Sequence, residues 1–341
     1  MASKWIYWLE ELRSGHNDMV GKKCANLGEM TQLGMRVPPG FAICVSGYEQ
    51  FMEQSGAGEE IRRYVKDSAR GFKEVEKQIE ASRMIRGIIE SKPMPYDMKR
   101  ELDAHYDELC SRVGMDRLRV AVRSSGAVSM PGQMETFLNV VGKGAVAHHV
   151  IKVWGSAFTT RAIAFRIEKG MEMERAPIGV AVLKMVNAKS AGVVLTLLPT
   201  TGDTSKVVVE GNWGLGESVV SGDVEPDHFL VDKETLEIVS TVSRKTQMVV
   251  YRSTGTVMAD VAPEMQNQPC ISKEELLEIV RVSLDVENHF KTPQDMEWVV
   301  DLDLPVPQNL FWVQARPAKF AQKKQDDAEY LAELMTRVFK F

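Results

Sequence analysis

The sequence predicts an α+β protein of two lobes with a cleft between them. Three observations carry this: the residues before Pro177 read mainly as helices, those after it read mainly as short strands, and a short connector at Lys184–Val186 joins the two regions as a hinge. At 341 residues the chain exceeds what one small core needs, so one large two-lobed domain or two domains is expected. The divisions expected are residues 1–183, residues 184–317 and a C-terminal segment, residues 318–341.

Each element follows from local pattern. Val20–Lys23 reads as a glycine-bearing loop leading into a helix from about Ala25 to Leu33. In VPPGFAICVSGYEQFM the two prolines force an extended entry to a short strand, and a helix starts after it. Residues from about Gly58 to Gly114 are charged and helically patterned, with a proline-containing break at Lys92–Tyr96, and read as helices covering a lobe. RLRVAVRSS puts Val120 and Val122 on one face of a half-buried strand that runs into a small-residue loop, SSGAVSMPGQMET. Val150, Trp154, Phe158, Ala162 and Phe165 recur at helical spacing, which predicts one long amphipathic helix from Ala147 to Lys169. Past Pro177 come IGVAVLKMV, GVVLTLLP, KVVVEGNWGLG, HFLVD, LEIVSTVS and QMVVYRS as strands, the helix SKEELLEIVRVSLDVENHF, and two last strands, DMEWVV and LFWVQARP. In the final segment Tyr330, Leu331, Leu334, Met335, Val338 and Phe339 follow a polar stretch at the spacing of a short amphipathic helix, which either packs on its own domain or docks to a partner.

Bulk properties exclude several functions. A net charge of −5 and a pI near 5.8 give no concentrated basic surface for a sequence-independent grip on nucleic acid. No apolar run is long enough for a signal peptide or a membrane span, so a cytoplasmic protein with no membrane partner is expected. Cys24, Cys44, Cys110 and Cys270 are widely separated and suggest neither a disulfide framework nor a zinc site. Of the six histidines only His148 and His149 are adjacent, and on a helix they point in different directions.

A bound polyphosphate needs backbone N–H groups from glycine-rich loops, cationic side chains and hard oxygen ligands for Mg²⁺, and the chain offers all three. Lys23 follows Gly21 just before a helix N-terminus, a placement suited to an anion, although most loop lysines are merely solvated. Arg123 emerges from a buried strand beneath SSGAVSMPGQ, where it can hold a phosphate or form a strand-end salt bridge. Thr136 adds a hydroxyl from the far side of that loop, and Arg161 lies on the long helix, where exposure is the ordinary outcome. GNWGLGES is neither a Walker A nor a Rossmann motif; its glycines permit close approach to a ligand, and Glu210 and Glu217 flank it as acceptors for a ribose or aids to a cation. On the last two strands, period two sets Glu297 opposite to Met296 and Trp298, and puts Gln314 and Arg316 on one face. If those strands pair, a carboxylate, an amide oxygen and a guanidinium converge as a Mg²⁺·triphosphate site needs; otherwise they form an edge hairpin with polar outer residues.

The ordered series GKKCANLGEM, VPPGFAI, VAVRSSGAVSMPGQMETFLNV, FTTRAIAFR, VLKMV, GNWGLGESVVSGDVEPDHF, QDMEW and VQARP resembles the ATP-binding domain of the phosphoenolpyruvate synthase and pyruvate, phosphate dikinase family, from about residue 20 to 317. The resemblance implies an ATP-grasp fold with adenine between the lobes and a loop closing over the phosphates. It implies that Lys23, Arg123 and Arg161 contact phosphate and that Met185 and Val186 form the hinge around adenine. Glu210 and the turn holding Gly214, Gly216 and Glu217 would contact the nucleoside, Glu297 and Gln314 would bind Mg²⁺, and Arg316 would lie at the transferred phosphates. Lys22 departs from the family's usual GGK, adding charge and leaving Lys23 in place, and Leu183 stands where many members have Gln.

Longer family members continue into a domain whose histidine accepts the phosphoryl group, and none of these six histidines sits in the Gly/Ser/Thr-rich loop that such a residue occupies. The resemblance therefore implies a subunit that binds MgATP and donates to a histidine on a separate polypeptide, forming AMP and phosphate. In size and extent the chain resembles the ATP-binding subunit of phenylphosphate synthase, which makes phenol the expected acceptor. The alternatives are the isolated ATP-binding domain of a phosphoenolpyruvate synthase or antibiotic phosphotransferase, and a self-sufficient ADP-forming ATP-grasp ligase or kinase.

Overall fold

The computed structural model describes residues 4–67, 72, 74–127, 134–173 and 175–318. The amphipathic pattern at residues 330–339 lies outside them, as do residues 128–133 of the small-residue loop.

The first half supplies five strands, β1 (Ile6–Trp8), β2 (Gly40–Ile43), β3 (Arg119–Gly126), β4 (Thr136–Val141) and β5 (Ile178–Lys184), paired antiparallel in the order β1-β2-β5-β3-β4. Strand β3 is therefore interior to its sheet rather than half-buried: Val120, Ala121 and Val122 are all covered, because helices and the neighbouring lobe take both faces. Its helices are α1 (Asn17–Gln32), α2 (Val45–Gln54), α3 (Ala57–Asp67), α4 (Val75–Glu90), α5 (Tyr96–Val113), α6 (Lys143–Ser156) and α7 (Thr160–Glu168). The proline break falls between α4 and α5, where Pro95 precedes the first turn of α5 with the fixed φ that such a position favours.

Two helices differ from the sequence pattern. The long helix over Ala147–Lys169 is two: the Thr159 hydroxyl accepts a hydrogen bond from the Ala162 amide at 3.2 Å and starts α7 afresh. Trp154, Phe158 and Ala162 stay buried across the break, so apolar spacing alone could not reveal it. The expected loop at Val20–Lys23 shrinks to a break at Gly21 (φ 79°, ψ 160°) inside α1. Only glycine fits there, since a Cβ on Gly21 would lie 2.0 Å from the Ser125 carbonyl oxygen.

The second half adds β6 (Ala188–Leu195), β7 (Lys206–Trp213), β8 (Asp227–Asp232), β9 (Ile238–Thr241), β10 (Gln247–Tyr251), β11 (Thr256–Asp260), β12 (Gln294–Asp301) and β13 (Leu310–Pro317), with helices α8 (Glu217–Ser221) and α9 (Lys273–Phe290). Six of these strands form a sheet in the order β13-β12-β6-β7-β8-β9, and β10 and β11 form a separate ribbon. Helix α9 begins at a Ser272–Glu275 capping box and lays its apolar stripe on the back of that sheet, against Met296 and Trp298. The chain crosses from the first sheet to the second through Met185–Asn187.

The first core gathers α2 to α7 against one face of the first sheet around Phe51, Ile85 and Trp154. The second joins α1 to the six-stranded sheet: Leu27 and Met30 share it with Trp312, Trp298 and Ile279. Helix α1 is thus a wedge between the sheets, and its Asn26 side chain donates to the Ala315 carbonyl of β13 at 2.8 Å. Among the described residues no helix is long and apolar enough to cross a membrane.

Candidate nucleotide and metal site

The front face of the second sheet carries one polar row. Directly paired residues of antiparallel strands point to the same side, and the register runs Gln314 to Glu297, Glu297 to Val193, Val193 to Glu210, and Glu210 to His228. The next row toward the strand ends pairs Arg316 with Asp295 on that same face. Strands β12 and β13 do pair as the convergent reading requires. Asp295 joins them by the same period of two, although the sequence reading did not use it.

A bulge sharpens the arrangement. The register slips between Glu297 and Trp298, so that Trp298 faces Trp312 and Val313 is the extra residue on β13. The Val313 carbonyl accepts from Arg123 Nη1 at 2.8 Å, while Arg123 Nη2 donates to Glu297 Oε2 at 2.8 Å. Arg123 lies inside β3, which runs on to Gly126, rather than at the strand's end, and reaches from there across to the second sheet. Thr136 lies opposite Arg123 in the β3–β4 register, at the exposed start of β4. Arg316 binds Asp295 Oδ2 through Nε at 2.9 Å and Nη2 at 2.8 Å.

Lys23 projects from α1 one turn before Asn26, toward the same region. Burial, together with the neighbouring Arg123 guanidinium, pushes its ammonium down to about 7, and the opposing pull of Glu297 is too small to restore it. Among the described residues it has no carboxylate within 4 Å. Burial pushes the Glu297 carboxyl up, but Arg123, Lys23 and Arg316 outweigh burial and hold it below the ordinary carboxylate range. At Asp295 burial wins over Arg316, and the carboxyl is raised.

These residues suit a metal-bound polyphosphate. Among the described residues Lys23 has no carboxylate partner and the buried Arg123 Nε has no acceptor; both are donors that phosphate oxygens would satisfy. Glu297 and Gln314 stand side by side as hard oxygen ligands. Among the described residues no group of three or more His, Cys, Asp or Glu could hold a metal. A divalent cation here would share its shell between these two side chains, water and phosphate, which is how Mg²⁺ is usually held.

The other expected residues divide. Met185 and Val186 lie on the connector between the sheets, where Met185 N–H donates to the Arg119 carbonyl at 2.9 Å and the Tyr251 hydroxyl donates to the Val186 carbonyl. Gly214 has φ 73° and would, with a Cβ, press within 2.4 Å of the Val249 carbonyl. Gly216 caps α8, and Glu217 opens it, its carboxylate accepting from Thr256 Oγ1 at 2.9 Å. Glu210 meets His228 Nδ1 at 3.2 Å. Arg161 is exposed on the first turn of α7 and bonds none of the others; the buried arginine of that helix is Arg166, stacked 4.8 Å from the Phe158 ring centroid. A groove of about 570 Å³ between the end of α1, α9 and the β12–β13 loop contains no residue of this set.

The ribbon β10–β11, of which sequence reading found only the first strand, ties these parts together. Asn139 of β4 donates to the carbonyls of Arg252 and Gly255 at 2.8 Å each, Leu215 N–H donates to Val249 at 2.9 Å, and Asn212 donates to Gln247 at 2.9 Å. One ribbon therefore touches the first sheet, the connector and the glycine turn.

Comparison with known proteins places this geometry. Residues 17–335 match the family described as pyruvate phosphate dikinase, AMP/ATP-binding domain. A probable phosphoenolpyruvate synthase of Staphylothermus marinus is 38% identical over 97% of this chain and 43% of its own length. The phosphoenolpyruvate synthase of Aeropyrum pernix is 35% identical over 96% of the chain and 44% of its own. A probable phosphoenolpyruvate synthase of Methanocaldococcus jannaschii is 35% identical, again over 96% of the chain, and 28% of its own. The chain spans less than half the length of these relatives. It belongs to the AMP/ATP-binding domain family of pyruvate phosphate dikinase.

Proposed function

We propose that this chain binds MgATP between its two sheets in an ATP-grasp manner and donates a phosphoryl group to a histidine outside these 341 residues, with one water consumed as the second phosphoanhydride bond breaks and with AMP and orthophosphate as products. The observation that carries the reading is the front-face row. Gln314, Glu297 and Arg316 converge there beside the Lys23 ammonium and a guanidinium whose Nε has no acceptor among the described residues. In this reading Glu297 and Gln314 hold the metal, which supplies charge neutralisation at the phosphates. Lys23, Arg123 and Arg316 orient the phosphate oxygens and stabilise the charge that develops on them. Met185 and Val186 line the adenine, Glu210 and the Gly214–Glu217 turn hold the ribose, and Thr136 and Arg161 close from the loop side and from α7.

The histidine belongs either to further sequence of a longer protein or to a separate polypeptide. The names of the relatives favour phosphoenolpyruvate formation as the overall reaction. The resemblance to phenylphosphate synthase makes phenol the other acceptor to assay. Chain, ATP and Mg²⁺ are incubated with and without the histidine-bearing remainder of a relative, and nucleotides are separated. ATP surviving alone, and AMP plus phosphate appearing with the second component, is the expected result. ADP formed by the chain alone would replace this reading with a self-sufficient kinase or ligase.

A further inference from the structure

We propose that Arg123 is the resting occupant of the cation position, so that a divalent metal enters with the nucleotide and not before it. This rests on the reading of Glu297 as a metal ligand. The guanidinium lies 2.8 Å from the carboxylate, and both side chains are largely buried, at 12% and 16% exposure. Its second contact, at 2.8 Å, is to the carbonyl of Val313, the extra residue at the β-bulge. Arg123 therefore lies between two oxygens, one of them Glu297 Oε2, and a cation bound to that oxygen would contest its place.

The arrangement is poised to exchange partners. Lys23, Arg123 and Arg316 face two carboxylates, Asp295 and Glu297, which leaves positive charge in excess. Arg316 is committed to Asp295 through two nitrogens, whereas Arg123 gives one nitrogen to Glu297, one to a neutral carbonyl, and has an Nε with no acceptor among the described residues. Phosphate oxygens offer Arg123 a fuller set of acceptors than these. Its departure would strand Glu297 as a buried, unpaired carboxylate, which is strongly unfavourable, and a divalent cation removes that penalty. Nucleotide and metal are in this way linked through one guanidinium.

The test is a double-mutant cycle on ATP affinity, read by calorimetry in chelator and again in Mg²⁺. Glu297→Gln frees Arg123, so metal-free ATP should bind about tenfold tighter than to the unaltered protein, while MgATP binds at least about tenfold more weakly. The metal-free gain should vanish in the Arg123→Met background. A gain that persists there is ordinary relief of repulsion and overturns the proposal, as does the absence of any gain. Unchanged MgATP affinity in Glu297→Gln would instead remove Glu297 from the metal site, a separate failure of the underlying reading. Should Glu297→Gln not fold, Arg123→Met alone decides through Mn²⁺ titration followed by electron paramagnetic resonance. Without nucleotide it should bind Mn²⁺ at least about tenfold tighter than the unaltered protein, and equal affinity overturns the proposal.

Discussion

If Lys23 holds the phosphates as proposed, nucleotide binding depends on pH in a defined direction. Burial and Arg123 lower its pKa to about 7, from an ordinary lysine value of 10.5. Between those values the unfolded chain binds the extra proton and the folded chain does not, so stability of the free protein rises with pH through that window. A bound triphosphate reverses the local field and restores the ammonium. Above neutral pH, binding must then take up a proton, and near pH 8.5 the uptake should be about one per chain. Equivalently, ATP affinity should fall about 50-fold from pH 7 to pH 9 as the protonated fraction of the free lysine falls from about one half to about one hundredth. Calorimetric titration in buffers of different ionisation enthalpy counts the protons directly, and Lys23→Met should abolish the uptake. A flat affinity profile with no proton uptake would refute the assignment of Lys23 to the phosphates.

Other perturbations follow from particular contacts. Gly21→Ala sets a Cβ against the Ser125 carbonyl at a φ that only glycine adopts easily, and should lose about 3 kcal/mol or more in urea unfolding; a loss under about 1 kcal/mol would mean the break in α1 relaxes freely. Lys245 and Asp227 form an ion pair with both side chains fully buried, so Lys245→Met, which strands the carboxylate, should cost about 3 to 5 kcal/mol, measured the same way. Asn139→Gly keeps the positive φ of 57° while removing two 2.8 Å bonds to the ribbon, and should speed amide exchange across Gln247–Asp260; unchanged exchange would show that the ribbon is held elsewhere.

Much of this architecture is written in local pattern. The passage from helices to strands and the shared face of Gln314 and Arg316 follow from periodicity, because spacing along one strand or helix fixes them. The connector, expected at Lys184–Val186, runs over Met185–Asn187, since Lys184 closes β5. Features that depend on contact between distant segments do not appear there. No pattern in DMEWVV or LFWVQARP announces the bulge at Val313, whose carbonyl accepts from Arg123, 190 positions earlier. The wedge role of α1 depends on Asn26 meeting Ala315, 289 positions away. β1 is only three residues and β11 half-exposed, so neither shows a strong alternation. Asp295 was within reach, since the period that joins Glu297 to Gln314 also joins Asp295 to Arg316.

In the proposed reading MgATP binds on the front face of the second sheet through Glu297 and Gln314. The most direct measurement is calorimetric titration of the purified chain with ATP in Mg²⁺, compared with the variant carrying Glu297→Ala and Gln314→Ala. One site per chain, with affinity reduced at least about 100-fold in the variant whose fold is intact, is the predicted result. Equal affinity in the two proteins would contradict the account.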